Sequence, residues 1–258
     1  MSKIKKVLIA VSFLVLVFSL VKLATAFLEG YAEQGKIDEL TQIWEESDKG
    51  EGEALPSPFI MKANEPVMLP EFRKLYERNP DIVGWLKIDG TRIEYPVMQN
   101  LQDEQYYLEH DFDKKKSNGG LPFLDKHSRI HGSDILLIHG HHMKNGWMFK
   151  DLMKYKKESF YKEHATFQFS TLYEQEEYEI VAVILSQVYR KSDDVFKYYQ
   201  IEKVNTPAEF DSYVRNIKQL ALYETGITPR YGDKLIVLST CEYSTENGRL
   251  AVVARKLN

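Results

Sequence analysis

The sequence predicts a mainly β domain, a sandwich or closed barrel, carried behind an N-terminal membrane helix. Short β-rich runs recur at residues 82–88, 92–98, 120–124, 134–139, 166–172, 178–189, 234–240 and 249–256, with turn residues between them. Eight runs at this spacing suit a sandwich or barrel and not the regular helix alternation of βαβ units. An uncharged run, 7–21, follows Lys3, Lys5 and Lys6, and apolar character resumes after Lys22 as far as Phe27.

Residues 4–27 are long enough to cross a bilayer, whose core of about 30 Å takes about 20 helical residues, provided that the flanking lysines and Lys22 snorkel to the headgroups. Lysines on the N-terminal side hold that end in the cytoplasm and place everything after Phe27 outside the cell. The competing reading is a cleaved signal peptide, because Ala24-Thr25-Ala26 resembles an A-x-A cleavage site. The expected domains are therefore an anchor at 1–27, a juxtamembrane helix and linker at 28–58, and a folded domain at 59–258. Ile37, Leu40, Ile43 and Trp44 give the juxtamembrane helix its spacing, and an acidic, Gly/Pro-rich linker follows, ending near Pro58.

Within the domain, 70–78 reads as a helix, with Pro70 suited to its first position and Pro80 barring continuation. Residues 102–109 and 147–155 are shorter helical candidates. A stronger one runs over 206–223, with Thr206 as N-cap, Glu209 at N3 and Phe210, Val214, Ile217 and Leu220 or Ala221 along one face. It is expected between the seventh and eighth strands, inside an insertion over about 190–230.

Composition removes several function classes. A net charge of -4 gives no basic field for a nucleic-acid backbone, and the short lysine runs 114–116 and 154–157 read as solvated surface. The single cysteine, Cys241, excludes an intramolecular disulfide and leaves its thiol free.

Three features stand at the ends of predicted strands. The run ILLI, 135–138, leads into His139, Gly140, His141 and His142; Cys241 follows the run 235–240; Arg249 opens the last strand. A thiol attacks a carbonyl as thiolate, and a nearby imidazolium or guanidinium populates that form. A hairpin joining the Cys241 and Arg249 strands would set the guanidinium about 5 Å from the nucleophile's strand, where it would also hold a developing oxyanion. His141 would donate a proton to the leaving amine and accept one later. The plainer readings are a packed small hydrophobe for Cys241, a surface charge for Arg249, and a metal site at His139, His141 and His142. The metal site lacks a Cys, Asp or Glu cluster nearby in sequence to complete its shell.

Val237-Leu238-Ser239-Thr240-Cys241, with Arg249 at the head of the last strand and Gly140-His141 at a strand end about a hundred residues upstream, resembles the sortase transpeptidases of Gram-positive bacteria. Val237 stands where that family commonly has Thr, and His139 where it often has Tyr. The stretch 81–99, the YYL at 106–108 and the helices on either side look like class B sortases, so the resemblance covers nearly the whole chain.

It implies a closed eight-stranded β-barrel with peripheral helices, the 206–223 helix roofing the substrate groove. Carried over by position, Cys241 is the nucleophile, His141 the general acid/base and Arg249 the oxyanion-holding or substrate-holding cation. His142 is the competing histidine. Ser239, Thr240 and Glu242, flanking the nucleophile, and Leu108 are the expected substrate contacts. The implied reaction cleaves an Asn-Pro-x-Thr-Asn/Gly-like sorting signal after Thr through a thioester, and an amine of the peptidoglycan precursor resolves it. No metal or organic cofactor is implied.

A pilin lysine as acceptor is the variant reading, and a non-catalytic membrane-tethered binding domain is the rival from another class. L,D-transpeptidases keep Gly before their Cys, which TCEYSTENGR does not, and papain-like peptidases place Cys before His.

Overall fold

The computed structural model describes residues 3–48 and 66–257. The linker expected to end at Pro58 and the domain start at Phe59 therefore lie outside the described residues. The chain divides into two units, Met1–Leu40 and Thr41–Asn258.

One continuous helix, α1, runs over Lys3–Asp48, where the sequence predicts an anchor followed by a separate short helix. No proline interrupts it, and Gln34 to Asp38 and Gln42 to Glu46 bond across one helical turn in its polar half. Its N-terminal part is long and apolar enough to cross a membrane. Phe13, Leu14, Phe18 and Leu23 stand exposed on it. In the second unit, Trp44 at the end of α1 stacks on Trp85 at 4.8 Å and meets Phe72 edge-on at 4.7 Å.

Helix α2, Pro70–Arg78, carries Pro at its first turn and buries Phe72 and Leu75. The strands are β1 (Ile82–Lys87), β2 (Glu94–Met98), β3 (Phe123–Leu124), β4 (Ile135–His139), β5 (Thr166–Thr171), β6 (Gln175–Gln187), β7 (Leu235–Cys241) and β8 (Gly248–Lys256). They close into a barrel in the order β1-β2-β3-β4-β7-β8-β6-β5. β2–β3 and β4–β7 are its parallel neighbours, and the other pairs are antiparallel. The closed eight-stranded barrel is the one the resemblance implies, and closure leaves no sheet edge for another chain to pair with.

The near-continuous apolar runs of β4, β7 and β8 follow from burial on both faces. Ile135, Leu137, Leu235, Val237, Ala251 and Val253 pack under Phe210, Tyr213, Val214 and Ile217 of helix α4, Pro207–Gln219. The residues between them, such as Ile138, Ile236, Leu238 and Val252, are fully buried on the opposite, barrel-facing side. The capping box forms as expected: Thr206 Oγ1 accepts from Glu209 N at 3.3 Å, and Thr206 N donates to the Glu209 carboxylate at 3.0 Å.

Three expectations are corrected. The α4 insertion joins β6 to β7, the sixth and seventh strands, and not the seventh to the eighth. The helix stops at Gln219 and not Tyr223, because Ala221 bridges to Ile184 and Leu222 N donates to Val183 O, drawing the chain onto β6. Residues 102–109 form only a 3₁₀ turn at Tyr106–Leu108, and the 147–155 candidate is the 3₁₀ segment Phe149–Lys156. Helix α3, Glu158–Glu163, follows that segment.

Candidate active site

The pairing of three strands assembles the site. In the antiparallel β7–β8 hairpin Cys241 lies directly opposite Arg249, and Ser239 opposite Ala251. Directly opposed residues share a face, so the thiol and the guanidinium project to the same side, the side α4 covers further along the strands. The cover ends at Tyr198, whose hydroxyl lies 2.6 Å from Ser239 Oγ. Beyond it Cys241 and Arg249 are each only half-buried.

Arg249 makes no ion pair among the described residues. Its Nη1 donates to Gly248 O at 2.9 Å and to Asn247 O at 3.4 Å, which leaves Nε and Nη2 uncommitted. Its charge is felt nearby. Burial pushes the Tyr198 hydroxyl up to about 12, while the bond to Ser239 and the Arg249 charge pull in the opposite direction.

Parallel pairing sets His139 of β4 beside Ser239 of β7, and Gly140 N donates to Ser239 O at 3.0 Å. A Cβ on Gly140 would lie 2.6 Å from the Phe149 ring. Glycine there lets the Phe149–Lys156 segment pack close under the strand end, where Phe149 N donates to His141 O at 2.8 Å.

The three histidines go to three different partners. His139 Nε2 lies 3.2 Å from Asp125 Oδ2. His141 Nε2 lies 2.9 Å from the Leu108 carbonyl, and His142 Nδ1 lies 2.8 Å from the Cys241 carbonyl. A carbonyl only accepts, so each of these last two nitrogens carries a hydrogen. The His142 ring also packs 4.8 Å from the Tyr243 ring, whose hydroxyl donates to His142 O at 3.0 Å. His142 is thereby strapped to the backbone of the hairpin.

Comparison with known proteins identifies the family. The family model described as Sortase domain matches residues 86–257. A Sortase B of Listeria monocytogenes is 36% identical over 185 residues, covering 70% of this chain and 72% of the relative. The chain belongs to the sortases, in class B. A Sortase B of Staphylococcus aureus is 27% identical over 220 residues, covering 83% of this chain and 87% of that protein. Among solved structures, sortase B from B. anthracis superposes with a TM-score of 0.72 at 28% identity, over 90% of this chain and 99% of that one. The protein is thus a sortase-type cysteine transpeptidase.

In this sortase the residues flanking Cys241 are engaged from within. Ser239 and Thr240 are both buried. Thr240 Oγ1 donates to Gly140 O at 2.7 Å, tying β7 to the turn that carries the histidines. Glu242 accepts from Lys156 Nζ at 2.9 Å and from Ser244 N at 2.9 Å. Bonds from Ser244 and Lys156 hold its carboxyl down at about 2, against an ordinary 4.5. Leu108 reaches the site through its carbonyl, on His141.

Two neighbours escaped the sequence reading. Lys156 belongs to a lysine run read as surface, and it pairs with Glu242, the residue after Cys241. Tyr198 stands in the insertion, 41 positions from the serine it meets. The sequence signal for Tyr198 is the apolar and aromatic cluster Val195, Phe196, Tyr198, Tyr199 and Ile201 inside the insertion.

Proposed function

We propose that Cys241 is the nucleophile, His141 the general acid/base and Arg249 the cation that holds the oxyanion, on a sorting signal of the Asn-Pro-x-Thr-Asn/Gly type. The observation that carries this reading is the register of the last hairpin, with Cys241 opposite Arg249 and the histidine turn tied alongside through Gly140 and His142.

The steps follow from acyl-transfer chemistry. The Cys241 thiolate attacks the Thr carbonyl carbon, and the oxygen takes up negative charge beside the free guanidinium edge of Arg249. Collapse breaks the C–N bond after Thr, and the departing amine takes a proton from His141. An acceptor amine, on the peptidoglycan precursor, then attacks the thioester and gives a proton to His141. The new amide forms as Cys241 leaves as thiolate. One amide is exchanged for another, so the cycle consumes neither reductant nor energy carrier.

We further infer that α1 holds the enzyme in the cell membrane with the catalytic unit outside, where a secreted substrate and a lipid-linked acceptor meet. The exposed apolar half of α1 and the lysines before it support this. Ser239, buried under Tyr198, and Glu242, held by Lys156 and Ser244, are read as shaping the walls on which the sorting peptide lies beside Cys241. Thr240 serves instead through its bond to Gly140. The test is to mix the protein with a panel of sorting peptides and look by mass spectrometry for a thioester adduct. An adduct on no peptide, or one that persists in Cys241→Ala, would overturn the assignment.

A further inference from the structure

His141 is held by a backbone carbonyl, Leu108 O, that is itself brought to the site by a chain of local devices. Tyr107, the preceding residue, is buried and anchors the 3₁₀ turn. Its hydroxyl donates to Asp81 Oδ2 at 2.8 Å and accepts from Asn79 Nδ2 at 2.9 Å. On the other side, Leu121 N donates to Tyr107 O at 2.8 Å, so the stretch ahead of β3 lies along the turn. Ser117 Oγ accepts from the amides of Gly119 and Gly120 at 3.2 Å each.

Gly120 is where the two stretches touch. It sits at φ +55, and a Cβ there would press on the Tyr107 carbonyl oxygen and lie 2.5 Å from that of Leu108. Any other residue at 120 must therefore push Leu108 O, and with it the hydrogen bond to His141 Nε2, out of place.

We propose that Gly120 and the Leu108 carbonyl form a positioning clamp for His141. The clamp keeps the hydrogen on Nε2 throughout the cycle and makes Nδ1 the nitrogen that exchanges the proton with substrate and acceptor amine. The inference rests on His141 being the general acid/base. Leu108 and Gly120 touch no reacting atom in it; they act through the imidazole. In the neutral ring Nε2 keeps its hydrogen and Nδ1 offers the lone pair. In the imidazolium both nitrogens carry hydrogens, and the one on Nδ1 is the one transferred.

The first measurement needs no variant. With histidine labelled in both ring nitrogens, the NMR spectrum of the His141 ring in its neutral form should show a protonated Nε2 and a bare Nδ1. A neutral ring with the hydrogen on Nδ1 overturns the clamp.

The second is kinetic, on the full chain with a sorting peptide. Gly120→Ala and Gly120→Asn should each lower kcat by about tenfold or more, within the range that general acid–base catalysis supplies, with KM nearly unchanged. Asn tolerates a positive φ far better than Ala but carries the same Cβ, so a loss shared by both variants reports the contact and not backbone strain. Gly226→Asn is the matched control, at φ +81 with nothing within 4 Å of the added Cβ, and should leave kcat alone.

If the Gly120 variants fold, by melting temperature, and keep wild-type kcat, the clamp is refuted. His141→Ala separates the two claims. Activity surviving in it would refute the acid/base assignment itself. A dead His141→Ala beside fully active Gly120 variants would refute only the clamp.

Discussion

Replacing Arg249 by Lys keeps a positive charge opposite Cys241 and removes the planar fork, and so separates charge from geometry. In the structure, Nη1 is committed to the carbonyls of Gly248 and Asn247, and the Nε and Nη2 hydrogens stay available on the open side. An ammonium that keeps those two carbonyls has one N–H left, on a shorter and unforked stem. Losing one well-placed oxyanion donor costs about 3 kcal/mol, or about 10² to 10³ in kcat. The fold should hardly notice. Arg249 is half-buried and makes no ion pair among the described residues, so the melting temperature should stay within about 2 °C. The assay is steady-state cleavage of a quenched fluorescent sorting peptide, with kcat and KM resolved, alongside a thermal melt. A variant retaining kcat/KM to within about threefold, under about 0.7 kcal/mol, would show that the guanidinium does not hold the transition state.

Cys241→Ala should abolish the thioester adduct and all peptide cleavage with an unchanged melt, read by mass spectrometry and calorimetry. Tyr198→Phe removes the partner of a buried Ser239 hydroxyl and should cost about 1 kcal/mol in urea unfolding; an unchanged midpoint would count against that bond. Trp44→Ala should destabilise the catalytic unit by about 3 kcal/mol through uncovering Trp85 and Phe72, measured by urea unfolding followed through tryptophan fluorescence. Glu242 has a folded pKa near 2 against an ordinary 4.5, so between those values the unfolded chain binds more protons. Its contribution to stability is present above about 4.5 and falls away as the pH drops towards 2. Urea midpoints of wild type and Glu242→Gln, compared across that window, should converge at the acid end.

The pairing of Cys241 with Arg249 was legible because the two are neighbours in sequence as well as in space. A hairpin eight residues long needs only alternation and a turn to be seen, and Cys241 does face Arg249. The barrel was legible for a similar reason, since each strand carries its own β-rich signature. What stayed hidden depends on backbone atoms or distant partners. Nothing in the letters around His141 and His142 says that one ring goes to Leu108 O and its neighbour to Cys241 O, because carbonyls are the same in every residue. The turn at Tyr106–Leu108 looked helical since its residues suit a helix, but it is held by Tyr107 bonding to Asn79 and Asp81 and not by its own ladder. The continuity of α1 is not visible in composition, because a change from apolar to polar residues is compatible with one unbroken helix when no proline intervenes.

The parallel contact between β4 and β7 joins Gly140 to Thr240 across 100 residues of chain. No local event can bring those two strands together; β5, β6 and the whole insertion must first be threaded between them, a slow class of contact to form. β8 comes later still and supplies Arg249. Cys241 thus meets its cross-strand partner only when the final strand has paired. On the proposed assignment, a half-folded chain carries the thiol without the guanidinium opposite it, so acyl transfer waits on the completed barrel.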